Sequence, residues 1–122
     1  MQIILDLPFP TSTNRLWNLG VRRIFPSAEY TAWKANAFKM YWMQYAKKRP
    51  QMLENFRISI VLDEKRRGRS DGDNRIKAVL DFCQSARICT NDRKCDGGSW
   101  GWGEAPEGCR VILTGAPAAA KP

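Results

Sequence analysis

Apolar and polar side chains alternate from Gln2 to Leu7, which predicts a strand that Pro8 and Pro10 bring to an end. The next stretch, PTSTNRLWN, is polar and turn-rich, and Val21 to Phe25 form a short extended run ending at Pro26. The period then changes. Tyr30, Trp33, Ala37, Tyr41 and Tyr45 recur at helical spacing from Ala28 to about Lys48, with Phe38 and Trp42 widening the apolar face. Ser27 is placed as the N-cap, Glu29 lies in the first turn beside the positive end of the helix dipole, and Pro50 closes the segment. The aromatic stripe reads as core, as a dimer face or as a base-stacking platform.

Alternation returns at Phe56 to Leu62 (FRISIVL), a half-buried strand. The densest polar stretch follows, Asp63 to Asn74, and then an amphipathic helix with Ile76, Val79, Leu80, Cys83 and Ala86 on one face. A turn at Thr90 to Asp92 precedes the glycine- and tryptophan-rich KCDGGSWGWG. This segment falls at the penultimate strand of a β-β-α-β-α-β-β order but is richer in Gly and Trp than a plain strand, so a flexible loop that touches DNA or a bulged hairpin is expected. Trp100 and Trp102 are expected to be buried or half-buried in preference to stacked on an exposed base. Cys109 to Thr114 is the last strand. This mixture predicts a small two-layer α+β domain, with a mixed sheet and two main helices, over residues 1–114; 115–122 form a flexible tail.

The 122 residues suffice for one domain with a core of its own. Twenty Lys and Arg against twelve Asp and Glu leave a net charge of +8, which points to a polyanionic partner such as nucleic acid. Histidine is absent, which excludes Ser-His-Asp triads, Cys-His nucleophiles and His-containing metal sites. No run approaches the ~20 apolar residues of a membrane helix, and Asp6 interrupts the only apolar stretch near the N-terminus. The expected location is the cytoplasm, without a membrane partner. Cysteines 83, 89, 95 and 109 form no C-x2-C knuckle, so reduced, partly buried thiols are expected rather than a zinc ribbon.

Candidate chemistry concentrates between Lys65 and Lys77, where Lys65, Arg66, Arg67, Arg69, Arg75 and Lys77 surround Asp71 and Asp73. Asp73 stands where the second helix begins, as an N-cap or as one of two carboxylates offered to a hard cation. Lys77 lies one turn further along the same face. Asp92 follows nineteen residues after Asp73, and a helix of about four turns with a reversal brings it back to the same end. Three carboxylates, a lysine and a collar of arginines are the equipment of metal-assisted phosphodiester hydrolysis, with the arginines on flanking phosphates.

The run from Arg66 to Asp81, RRGRSDGDNRIKAVLD, resembles the R-x-D-x-D-N-x-x-K-x-x-x-D pattern of the RusA family of Holliday junction resolvases, small endodeoxyribonucleases often found in phage and prophage. Leu7 to Arg15 is similar to that family's L-P-x-P-P-S-x-N-x stretch, and Ser27 to Tyr30 to the start of its first long helix. The resemblance spans about residues 3 to 114. It implies a RusA-like fold in which Asp71, Asp73 and Asp92 bind Mg²⁺ (Mn²⁺ in its place being possible) and Lys77 is the catalytic lysine. It also implies a homodimer that nicks two strands of a four-way junction symmetrically, as in DNA recombination and repair. Lys65, Arg66, Arg67, Arg69, Arg75, Asn14 and Arg15 are the expected DNA contacts. This chain departs from the family in having Asn91 where a second adjacent acid is frequent. Two other readings share the same residues: a basic DNA-binding module without catalysis, and a nuclease acting more broadly on flaps and other branches.

Overall fold

The computed structural model describes residues 1–11, 17–19, 24–69, 72 and 75–118. Asn14, Arg15, Asp71 and Asp73 lie outside them. Strand β1 (Gln2–Leu7) buries Ile3, Leu5 and Leu7 and turns Gln2 and Ile4 outward, as its alternation requires. Two short strands, β2 (Trp17–Leu19) and β3 (Ile24–Pro26), pair antiparallel in a separate ribbon. Trp17–Leu19 is thus a strand where the sequence suggested only turn.

Helix α1 (Ala28–Gln44) starts as expected, with the Ser27 hydroxyl accepting the Tyr30 N–H at 3.1 Å. It buries Tyr30, Trp33, Ala37 and Tyr41, so this part of the aromatic stripe is core, whereas Trp42 and Met43 face out. The helix stops short of Lys48 because its end is tied to β1. The Gln44 amide accepts from Asp6 N at 2.8 Å and donates to Asp6 O at 2.6 Å, while the Tyr45 hydroxyl donates to Ile4 O at 3.0 Å.

Strand β4 (Leu53–Asp63) turns Phe56, Ile58, Ile60 and Leu62 inward. After a 3₁₀ helix at Glu64–Arg69 comes α2 (Ile76–Ser85), then a 3₁₀ turn at Asp92–Lys94, β5 (Cys95–Gly103) and β6 (Cys109–Pro117). Strand β6 runs three residues into the segment assigned to the tail, with Gly115 N–H donating to Met1 O at 3.0 Å. The mixed sheet has the order β1–β6–β4–β5; β6 is antiparallel to both of its neighbours, and β5 runs parallel to β4. A parallel pair cannot be joined by a hairpin, so the chain between β4 and β5 crosses over through α2.

The glycine- and tryptophan-rich segment is therefore neither loop nor hairpin but an edge strand. Its glycines explain why it pairs at all: a Cβ on Gly98 would overlap the Ile58 carbonyl, so only a bare backbone can lie this close to β4. One core of sheet and helix residues, from Ile3 to Leu113, is closed by Phe82 of α2. No described helix is long and apolar enough to cross a membrane.

Candidate functional site

The crossover positions the site. Helix α2 buries Ala78, Val79, Phe82 and Cys83 and leaves Lys77 exposed. Its N-cap position belongs to Arg75, whose side chain makes no capping bond; Gly72 O accepts the Arg75 N–H at 3.2 Å. The Arg75 guanidinium donates to Pro10 O and lies 4.5 Å from the Phe9 ring centroid, with Arg66 over the same ring at 5.2 Å. Phe9 stacks on Trp102 at 6.3 Å, and Trp102 meets Trp100 edge-on at 6.2 Å. Gly72 is buried under Trp100: a Cβ there would sit inside the indole ring. The residue between Asp71 and Asp73 is thereby fixed against β5, and no larger residue fits without displacing Trp100.

At its other end α2 closes in a Schellman turn. Arg87 takes the left-handed conformation (φ 59°), its N–H donates to Gln84 O at 3.1 Å, and Ile88 N–H donates to Cys83 O at 2.9 Å. Leu53 N–H then donates to Ile88 O at 2.8 Å and Thr90 N–H to Leu53 O at 3.0 Å, stitching the reversal to the start of β4. The chain emerges alongside the second half of α2, where Gln84 Oε1 accepts the Asp92 N–H at 2.9 Å. Because α2 has ten residues rather than about four turns, the reversal delivers Asp92 next to Gln84, not next to the first turn. Asn91 caps the 3₁₀ turn, its Oδ1 accepting the Arg93 N–H at 2.9 Å.

The neighbour that Asp92 acquires is Asp81, one turn beyond Lys77. Asp81 is held by two residues of α1: the Tyr30 hydroxyl donates to Oδ2, and Lys34 Nζ lies 3.1 Å from the same oxygen. Burial pushes the Asp81 carboxyl above its ordinary range, and the negative charge of Asp92 pushes it the same way. Burial also lowers the Lys34 ammonium, so desolvation outweighs the ion pair for both partners. Asp92→Asn is expected to bring the Asp81 pKa down toward, but not to, the ordinary carboxylate value, since burial remains; ¹³C-detected titration of the Asp81 carboxyl measures this, and an unchanged midpoint would separate the two charges.

No protein-family model matches the chain, and no curated protein matches it. The geometry of the site and the residues themselves carry the functional argument.

Of the expected DNA contacts, Lys65, Arg66 and Arg67 are exposed, whereas Arg75 is half-buried on Phe9 and Pro10 and fastens the N-terminal segment to α2. Lys77 has no ion-pair partner among the described residues. Asp81, Lys34 and Tyr30 are the members of this cluster that sequence reasoning missed. Asp81 closes the quoted motif, but Lys34 was indistinguishable from the other lysines of the wet helix face.

Among the described residues no three Asp, Glu or Cys side chains come together as a metal cage. The donor chemistry nevertheless suits a hard cation. Asp81 and Asp92 are mutually repelling carboxylates, and the Asp92 side chain has no hydrogen-bond or ion-pair partner among the described residues. Burial raises the thiol of Cys89, the cysteine whose charge would face Asp92, to about 11, so it stays protonated and does not compete as a soft ligand. Mg²⁺ needs only one or two protein carboxylates, with waters and substrate phosphate completing its shell.

Proposed function

We propose that this chain is a Mg²⁺-dependent endodeoxyribonuclease of the RusA type, acting on four-way DNA junctions as a homodimer. The observation that carries the reading is the α2 face. It continues the D-x-D-N-x-x-K run of residues 71–77 with an exposed Lys77 and then Asp81, and the crossover returns Asp92 to that same stretch of helix. When bound, Mg²⁺ lowers the pKa of a water and orients the scissile phosphate.

The residues divide the remaining work. By the motif, Asp71 and Asp73 would offer carboxylates to the cation, and Asp92, set beside Asp81 by the reversal, would offer a third from further along α2. Asp81, pinned by Tyr30 and Lys34, keeps negative charge next to Asp92 and fixes α1 against α2. The Lys77 ammonium meets a phosphate oxygen as negative charge develops. Exposed Lys65, Arg66 and Arg67 hold flanking phosphates, which makes binding salt-sensitive. A two-fold enzyme matches the two-fold symmetry of the junction and cuts one strand at each site.

The test is incubation of a synthetic four-way junction with Mg²⁺ or with chelator, beside linear duplex of the same sequence. Paired symmetric nicks only in the junction and only with metal are expected. Lys77→Ala is expected to lower turnover about a hundredfold with a much smaller change in affinity. Tight, salt-sensitive binding without nicks under any divalent cation would replace this reading with a DNA-binding module, and equal cutting of flaps would broaden the substrate class.

A further inference from the structure

Strand β5 and helix α2 do not close completely on one another. Between them runs a groove of about 240 Å³, below the ~300 Å³ at which pockets for drug-sized ligands begin. Gly97, Gly98 and Ser99 form its strand side, Ile76 and Leu80 its helix side, and Trp100 stands at one end. The glycines make one wall bare backbone, and Trp100, 42% exposed, offers a free aromatic surface although its ring tip covers Gly72. Ile58 and Ile60 of β4 lie beneath, so the groove combines narrow apolar walls with an aromatic end.

Charge and position narrow what fits. Lys77 is exposed between the two α2 residues that line the groove, the chain carries a net charge of +8, and the groove opens beside the glycine that separates Asp71 from Asp73. An aliphatic chain or an apolar peptide would use the walls but leave the exposed Lys77 unanswered. A planar base, on a strand whose phosphate reaches Lys77, uses the narrow apolar walls, the exposed indole and the charge together.

We infer that this groove receives a single unpaired nucleobase, stacked on Trp100, from the DNA strand whose phosphate lies at Lys77; the inference rests on the nuclease reading and supplies it with a means of telling branched from linear DNA. Bases at a branch point are already unstacked or are released at little cost, whereas a base in continuous duplex must first be extracted from its stack. Trp100 has two tasks that follow from its position: its ring tip fixes Gly72, and its open face holds the base.

Binding of four-way junctions carrying 2-aminopurine at a branch nucleotide, with chelator present so that no cleavage occurs, tests this directly. Wild-type protein is expected to change the 2-aminopurine emission at the branch and not in the duplex arms. Trp100→Ala is expected to abolish that change and to weaken junction binding about tenfold, the usual loss for one stacked base, while duplex binding shifts less than twofold. Trp100→Phe, which keeps an aromatic face, is expected to restore most of the signal and guards against a simple folding defect. An emission change that survives in Trp100→Ala, or equal losses on junction and duplex, would overturn the inference and leave the nuclease reading intact. A wild-type protein that binds junction and duplex alike would overturn both.

Discussion

Replacing Asp92 by asparagine is expected to reduce junction cleavage by on the order of a thousandfold while leaving the dissociation constant unchanged or improved. The substitution preserves the shape of a side chain that has no hydrogen-bond or ion-pair partner among the described residues, and the bond from Asp92 N–H to Gln84 is made by the backbone. Little structure is therefore at risk. What disappears is one negative charge beside Asp81, so a strand of phosphates meets less repulsion and binding does not suffer. Gel-shift titration and single-turnover cleavage on the same junction separate the two effects. Comparable losses in both would make Asp92 a structural residue and remove it from the chemistry.

The largest loss of stability is expected from Phe82→Ala. Phe82 is fully buried and is the one α2 side chain that meets three aromatic rings of α1 edge-on: Trp33 at 6.0 Å, Phe38 at 5.0 Å and Tyr41 at 6.3 Å. Truncating a buried phenylalanine costs about 3–5 kcal/mol, and the lost ring pairs place this site toward the upper end. For a chain of this size that corresponds to a Tm lowered by roughly 10–20 °C in differential scanning calorimetry. Trp42, half exposed on the outer side of α1, should cost under about 1 kcal/mol when changed to alanine. Similar Tm shifts for the two variants would mean that the α1–α2 contact is not where the core is held.

The sequence was most legible where side-chain period and burial agree. Ile3, Leu5 and Leu7 of β1, and Phe56, Ile58, Ile60 and Leu62 of β4, announce their strands because each alternate residue enters one core. Strand β5 has a place in the element order, but its regular form is hard to read for the opposite reason. Its pairing depends on what Gly98 lacks, and glycine carries no strand propensity to read. The end of α1 was misjudged by about a turn because the bonds that fix it, from Gln44 and Tyr45 to β1, join residues some forty positions apart. The candidate site shows the same division. Lys77 takes its place on α2 from local spacing, but Asp92 arrives beside Gln84 rather than at the first turn, and Lys34 and Tyr30 reach Asp81 across 47 and 51 residues. Only the packing of α1 on α2 reveals them.

The register of β1 on β6 carries a consequence for how the protein is made. Gln2 pairs with Thr114 and Leu7 with Cys109, so among the described strands β1 finds its sheet partner in β6, about a hundred residues later in synthesis. Strand β6 also lies between β1 and β4, and until it arrives the two halves of the sheet have no contact through hydrogen bonds. A nascent chain can assemble α1, and later the β4–α2–β5 crossover, but Ile3, Leu5 and Leu7 wait without a sheet to join. Sheet completion therefore waits for β6 and closes the loop between Leu7 and Cys109 in one slow step. A message cut short before residue 109 would release a polypeptide whose apolar first strand has nothing to do but pair with its neighbours.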